Sequence, residues 1–271
     1  MMTLIEQLEQ FELKVISFDG IQQSYREAGQ GKNLVLLHGI SSGSGSWVKQ
    51  LQQLSRHFHV IAWDAPGYGQ SDQLATDQPS AADFAVRLKG MLDTLGLTKI
   101  ILVGHSLGAL QAAAFQALYP EHVEALVIAN VAQGYKGFDV QKQQEVYAKR
   151  PKMLQELGAL GMAQSRGPHL VAHATDDVLA LIAQVMQNIS LGGFRQASYL
   201  LAYDAIQSYL NLKQHHIHVI KGMADGITPP QGIQALVTHF QLNHCYEIED
   251  AGHLSYLDQA DQFNKILLSL I

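Results

Sequence analysis

The chain has 271 residues, 47% of them hydrophobic, enough for one large core or for a core that carries an insertion. Eighteen Lys and Arg stand against 24 Asp and Glu, a net charge of −6 with no basic tract, which argues against nucleic acid or an anionic membrane as a partner. Cys245 is the single cysteine, so no internal disulfide is expected and a reducing, cytoplasmic setting is.

Residues 1–10 hold Glu6 and Glu9 and lack the basic start and apolar run of a secretory signal. No apolar stretch has the length of a membrane span. Phe11 to Phe18 and Gln22 to Glu27 read as two strands joined by a turn at Asp19 and Gly20. Asn33 to Leu37 is continuously apolar, as a buried parallel strand should be, and ends in His38, Gly39 and Ile40. A Ser- and Gly-rich loop (Ser41 to Ser46) leads to a helix near Trp47. Val60 to Trp63 is a further buried strand, closing on a Pro- and Gly-containing turn from Asp64 to Asp72. A helix follows from about Ser80 to Leu95, and then the strand Ile100 to Val103 runs directly into an Ala-rich helix. Val123 to Ala129 is the next strand.

From about Gly134 the alternation stops, and the pattern is helical through Val146 to Leu157, Val178 to Ile189 and Ala197 to Leu210. Gly158, Gly161, Gly167, Gly192 and Gly193 mark bends in this block. The alternation resumes with strand Ile217 to Ile220, helix Pro230 to Phe240, strand Cys245 to Ile248 and a last helix from about Gln259 to Leu270. The expected architecture is α/β: a mostly parallel central sheet flanked by helices, with residues 1–133 and 214–271 as its core and residues 134–213 as a helical cap inserted in it.

Chemistry concentrates where strands end. Gly104, His105, Ser106, Leu107 and Gly108 place a serine on a sharp strand-to-helix turn, flanked by glycines where helix and strand cross. The N–H of Leu107 then lies at a helix N-terminus, positioned to donate to a developing oxyanion. A serine hydroxyl needs a base, and among the 13 histidines His253 stands out in the loop after the last strand. That base needs a carboxylate to orient it. The strand end before the insertion offers Asn130, which carries no charge; the one after it offers Asp225, which is preferred. A second oxyanion donor should come from the loop after His38 and Gly39, with the N–H of Ile40 favoured over that of Ser41. His38 is read as ordering that loop and Asp64 as satisfying turn donors. His215, His216 and His218 lack a nearby carboxylate or Cys to complete a metal site, Trp47 is read as core, and the pattern calls for neither metal nor cofactor.

These residues resemble the α/β-hydrolase superfamily over nearly the whole chain. His38 and Gly39, the turn from Asp64 to Asp72, the elbow around Ser106, Asp225 followed by Pro229, and Ala251 to His253 carry the resemblance, and the order Ser, Asp, His agrees with it. Ala251 to Ser255 and the compact insertion are similar to the 3-oxoadipate enol-lactonases and related esterases. The resemblance implies a serine hydrolase with the triad Ser106, Asp225 and His253 and an oxyanion hole at Ile40 and Leu107. It would act on a small-molecule carboxylic ester or lactone, such as an enol-lactone of aromatic catabolism, through an acyl-enzyme. Dehalogenases and epoxide hydrolases place Asp at the elbow, where this chain has Ser106. Carbon–carbon bond hydrolases of ring-cleavage products usually carry Trp after the catalytic His, where this chain has Leu254. That reading and a cofactor-free haloperoxidase stay open as alternatives, as does a non-catalytic ligand-binding protein of the same fold. The expected substrate contacts are Ser41 and Leu254 beside the triad and oxyanion loop, with Arg150, Arg166 and Arg195 from the insertion. Between Gly134 and Lys213 eight basic residues face six acidic ones, against ten basic and eighteen acidic elsewhere, so a carboxylate-bearing substrate would meet a favourable field there.

Overall fold

A computed structural model describes residues 2–211 and 216–270. In chain order the elements are α1 (Leu4–Leu8), β1 (Lys14–Phe18), β2 (Ile21–Ala28), β3 (Lys32–Leu37), α2 (Val48–Leu54), β4 (Phe58–Trp63), α3 (Ala81–Thr94), β5 (Ile100–His105), α4 (Leu107–Leu118) and β6 (Val123–Ala129). There follow α5 (Val140–Arg166), α6 (Asp176–Met186), α7 (Leu191–Tyr203), β7 (Ile217–Gly222), α8 (Pro230–Phe240), β8 (His244–Ile248), α9 (Ser255–Asp258) and α10 (Ala260–Leu268).

The eight strands form one sheet in the order β1-β2-β4-β3-β5-β6-β7-β8. β1 and β2 are antiparallel through a turn at Asp19 and Gly20, both with positive φ as a tight two-residue hairpin requires, and β2 meets β4 antiparallel. From β4 to β8 the pairing is parallel, and β3, β5 and β6 are buried almost throughout, which is why their sequences read as unbroken apolar runs. The connection β3–α2–β4 moves one way along the sheet, whereas β4–α3–β5 and β5–α4–β6 move the other. Right-handed crossovers therefore put α2 on one face and α3 and α4 on the opposite one. The order reverses at β3, so the crevice beyond the carboxyl ends of β3 and β5 is where this topology leaves room for a ligand.

The fit between α4 and the sheet is close. A Cβ on Gly104 would lie 2.3 Å from the Gly108 carbonyl oxygen, and one on Gly108 would lie 2.4 Å from that of Leu37. Trp47 is fully buried and stacks on Tyr256 with ring centroids 4.0 Å apart, so it belongs to the core.

Several boundaries depart from expectation for local reasons. α1 exists because Thr3 and Glu6 form a capping box and Leu4 and Leu8 are buried; the Leu4 N–H donates to Asp177 Oδ1 of α6 at 2.9 Å. α7 begins at Leu191, ahead of the expected Ala197, because the Ser190 hydroxyl caps it by accepting from the Gly193 N–H at 3.0 Å. Gly192 and Gly193 accordingly lie inside a helix and mark no bend; a Cβ on Gly193 would meet the Gly67 Cα at 2.5 Å, so close packing is what requires glycine. Gly158 is a true break in α5, with φ 66° and ψ 174°. The last expected helix is α10, and the short α9 precedes it as an element that the sequence pattern does not announce. The expected insertion boundary at residues 213 and 214, with Lys213 and His215, lies outside the described residues.

The contacts at the α4 crossing set an expected outcome. Gly104→Ala should cost about 3 kcal/mol in urea unfolding, because backbone has to move to admit the methyl. Gly96→Ala, where φ is +70° but nothing lies within 4 Å, should cost about 1 kcal/mol.

Candidate active site

Ser106 sits between β5 and α4 with φ 54° and ψ −116°, a strained conformation for a residue with a side chain. It is held there by its own N–H donating to the Ala129 oxygen at 2.9 Å and by its carbonyl accepting from the Ala132 N–H at 3.2 Å. The hydroxyl lies 2.9 Å from His253 Nε2, and His253 Nδ1 lies 2.9 Å from Asp225 Oδ2. With Nδ1–H donating to the carboxylate, Nε2 is free to accept from the serine. All three side chains are buried, so the two bonds are shielded from competing water.

The Asp225 carboxylate is saturated with donors. Oδ1 accepts from the N–H groups of Ile227 (2.7 Å) and Thr228 (3.0 Å), and Oδ2 accepts from Asn130 Nδ2 (2.8 Å) and the Thr228 hydroxyl (2.6 Å) as well as from His253. Burial by itself would raise this carboxyl, and the hydrogen bonds from His253 and Thr228 outweigh it, holding the group well below the usual carboxylate range. Asp225 is thus both the partner of His253 and the organiser of its own turn. Asn130 supplies an amide donor in place of a charge: it also reaches the Gly252 oxygen at 3.2 Å, and its Oδ1 accepts from the Ser255 hydroxyl at 2.6 Å. The sequence pattern assigns no site role to Asn130, Thr228 or Ser255. The one signal for Thr228 in the sequence was its place three residues after Asp225, the spacing of a side-chain-capped turn.

Two further histidines are fixed as neutral scaffolding. His105 Nε2–H donates to the His253 carbonyl oxygen at 2.7 Å, and burial, with the neighbouring His253 adding to it, pushes His105 down to about 3. His38 Nδ1–H donates to the Gly39 oxygen at 2.8 Å while Nε2 accepts from the Ala65 N–H at 2.9 Å, and burial lowers its pKa. His38 therefore orders the loop after β3. In that loop the Gly39 position is so close to Ser106 that a Cβ would lie 3.0 Å from the serine Cβ. The Ile40 carbonyl accepts from the Tyr68 hydroxyl at 2.7 Å. Ile40 and Leu107 both line the same cavity as Ser106, and the Leu107 N–H opens α4, where no intrahelical acceptor exists for it. Asp64 lies outside that cavity and accepts from the Ser44 N–H at 2.7 Å and the Ser24 hydroxyl at 2.8 Å.

The cavity holds about 620 Å³. Of the expected substrate contacts, Ser41, Arg150, Arg166 and Leu254 line it and Arg195 does not. Arg195 is exposed on α7, flanked by the buried Phe194 and Gln196. Among the described residues no cluster of three or more His, Cys, Asp or Glu side chains could hold a metal ion, and His218 instead stacks on His244 with ring centroids 4.6 Å apart. Among them, too, no helix is long and apolar enough to cross a membrane.

A buried neutral His105 makes stability depend on pH with a definite sign. Its folded value lies below the ordinary 6.5, so its contribution is complete above pH 6.5 and is lost as the pH falls toward about 3, at up to about 1.4 kcal/mol per pH unit. Urea unfolding at pH 7, 6 and 5 should show a shallower fall in His105→Gln by that one-proton slope; equal slopes would mean that His105 is protonated in the folded protein.

Comparison with known proteins bears on the family and the fold. A family model described as alpha/beta hydrolase fold matches residues 32–260. A 2-hydroxy-6-oxononadienedioate/2-hydroxy-6-oxononatrienedioate hydrolase from Paraburkholderia phymatum is 41% identical over 110 residues, 38% of each chain. Matches to the curated relatives of this kind span only about two-fifths of those relatives' length or less. Among solved structures, an esterase from Thermogutta terrifontis superposes with a TM-score of 0.83 at 22% identity, covering 95% of this chain and 97% of that one. The enol-lactonase from Burkholderia xenovorans superposes with a TM-score of 0.79 at 21% identity, covering 95% and 99%. Likeness at that identity speaks for the fold, and the family match covers most of the chain: this protein belongs to the alpha/beta hydrolase fold family.

Proposed function

We propose that the protein is a serine hydrolase of small carboxylic esters or lactones. The observation that carries this reading is the continuous hydrogen-bonded series from Ser106 Oγ through His253 to Asp225 at the floor of a cavity large enough for a small molecule. As His253 Nε2 takes the serine proton, Ser106 Oγ bonds to the ester carbon and the carbonyl becomes an oxyanion, which the N–H groups of Ile40 and Leu107 receive. The oxyanion collapses, the bond to the leaving oxygen breaks, and His253 returns its proton to that oxygen. Water then attacks the acyl-enzyme with His253 as base, releasing the acid and restoring Ser106. Asp225 stays ionised throughout, and its turn donors keep it so.

The Paraburkholderia relative's name supports a second reading, hydrolysis of a carbon–carbon bond next to a ketone by the same residues. Leu254 beside His253, where those enzymes usually carry Trp, weighs toward the ester.

Ser106→Ala should lower p-nitrophenyl acetate hydrolysis by roughly a thousandfold or more and abolish labelling by a fluorophosphonate probe. Unlabelled Ser106 in the folded protein would favour a ligand-binding role for the fold. Asp225→Asn should cripple turnover, whereas Asp64→Asn should chiefly lower the unfolding midpoint; the reverse pattern would displace Asp225 from its role.

A further inference from the structure

Two guanidinium groups stand on the wall of the Ser106 cavity without a counter-ion among the described residues. Arg150 and Arg166 both belong to α5, and on a straight helix their sixteen-residue separation would put them about 24 Å apart. The left-handed Gly158 between them turns the chain, and both side chains line one cavity. Burial lowers both, and in Arg150, which falls to about 10, the nearby charge of Arg166 adds to it.

Neither arginine makes an ion pair or a side-chain hydrogen bond to any described residue, and the Nε of each is buried with no acceptor. No Asp or Glu lines the cavity, whereas Lys136 does, with the Ser208 hydroxyl at 3.4 Å as its partner. Other buried or half-buried cations of the chain are treated differently. Arg87 donates to the carbonyls of Asp72 and Gln73, and Lys221 donates to Glu247 and Gln234. Holding two unpaired like charges on the wall of one cavity costs stability unless something supplies the negative partner. Planar forks of N–H donors match the paired oxygens of a carboxylate, as they match those of a phosphate, and of the two it is the carboxylate that small esters and lactones commonly carry.

We propose that the substrate carries a carboxylate in addition to its scissile carbonyl, and that Arg150 and Arg166 bind it while Ser106 attacks. This deepens the hydrolase reading and rests on it for the chemistry, though not for the binding.

Two measurements test it. The first compares kcat/KM for p-nitrophenyl hemiglutarate with that for neutral p-nitrophenyl pentanoate. The charged ester should be preferred by roughly tenfold or more at low salt, and the preference should shrink at high salt. Arg150→Gln and Arg166→Gln should each collapse the ratio tenfold or more, while Arg195→Gln, on the exposed side of α7, should keep it. Equal rates for the two esters in the wild type, or a ratio unaltered in both cavity variants, would overturn the proposal. The second measures glutarate binding to Ser106→Ala protein by calorimetry, where no turnover is needed. Binding weakened tenfold or more by adding Arg150→Gln supports the site, and absent or unaltered binding overturns it. Should the wild type cleave neither ester with Ser106 unlabelled, the hydrolase reading fails while the calorimetry still decides the arginine pair.

Discussion

The close crossing of α4 over β5 and β3 is the constraint on which the rest depends. Because Gly104 and Gly108 lack side chains, the helix comes within van der Waals reach of the strand backbones. That proximity leaves the chain no relaxed route from strand to helix, and Ser106 absorbs the strain with its positive φ. The same approach brings Gly39 against Ser106 and places Ile40 and the start of α4 on either side of it. Packing of the sheet thus fixes the candidate nucleophile and the candidate oxyanion donors in one step.

Electrostatics then assigns each buried polar group one state. Asp225 is kept ionised by its turn and by Thr228 and Asn130; His105 and His38 are kept neutral, each tautomer fixed by a carbonyl that accepts from it. His253 alone of the three buried histidines around Ser106 faces a carboxylate on one side and a hydroxyl on the other. A proton can move there with little rearrangement, because its neighbours are locked. Asn130 serves this order better than a second acid would: an amide donates to Asp225, whereas a carboxylate 2.8 Å away would compete for the same protons.

Much of this was legible in the residues. Buried parallel strands announce themselves as apolar runs, so β3, β5, β6 and β7 were placed within a residue or two. Ser106, Asp225 and His253 could be singled out because each follows a strand. What could not be read depends on contacts distant in sequence. A lone Asn or Thr at a strand end, such as Asn130 or Thr228, has the same local signature whether it closes a turn or braces a carboxylate. Gly193 reads as a bend until Gly67 is seen against it, and α1 is too short to show a periodic stripe. Arg195 and Arg150 are equivalent as charges in a sequence; only the folded chain, in which Arg150 lines the cavity and Arg195 does not, separates them.

The break at Gly158 divides the labour of the molecule in a way that bears on its evolution. The placement of Ser106 is set by the sheet and the elbow, whereas Arg150 and Arg166 come to one cavity wall through a break at Gly158 in the inserted helix. A shift of that break moves the arginine wall of the cavity without touching the residues that hydrogen-bond Ser106, which lie on other elements. On the proposed reading, preference and reactivity are then separately heritable, because they rest on different elements of the fold.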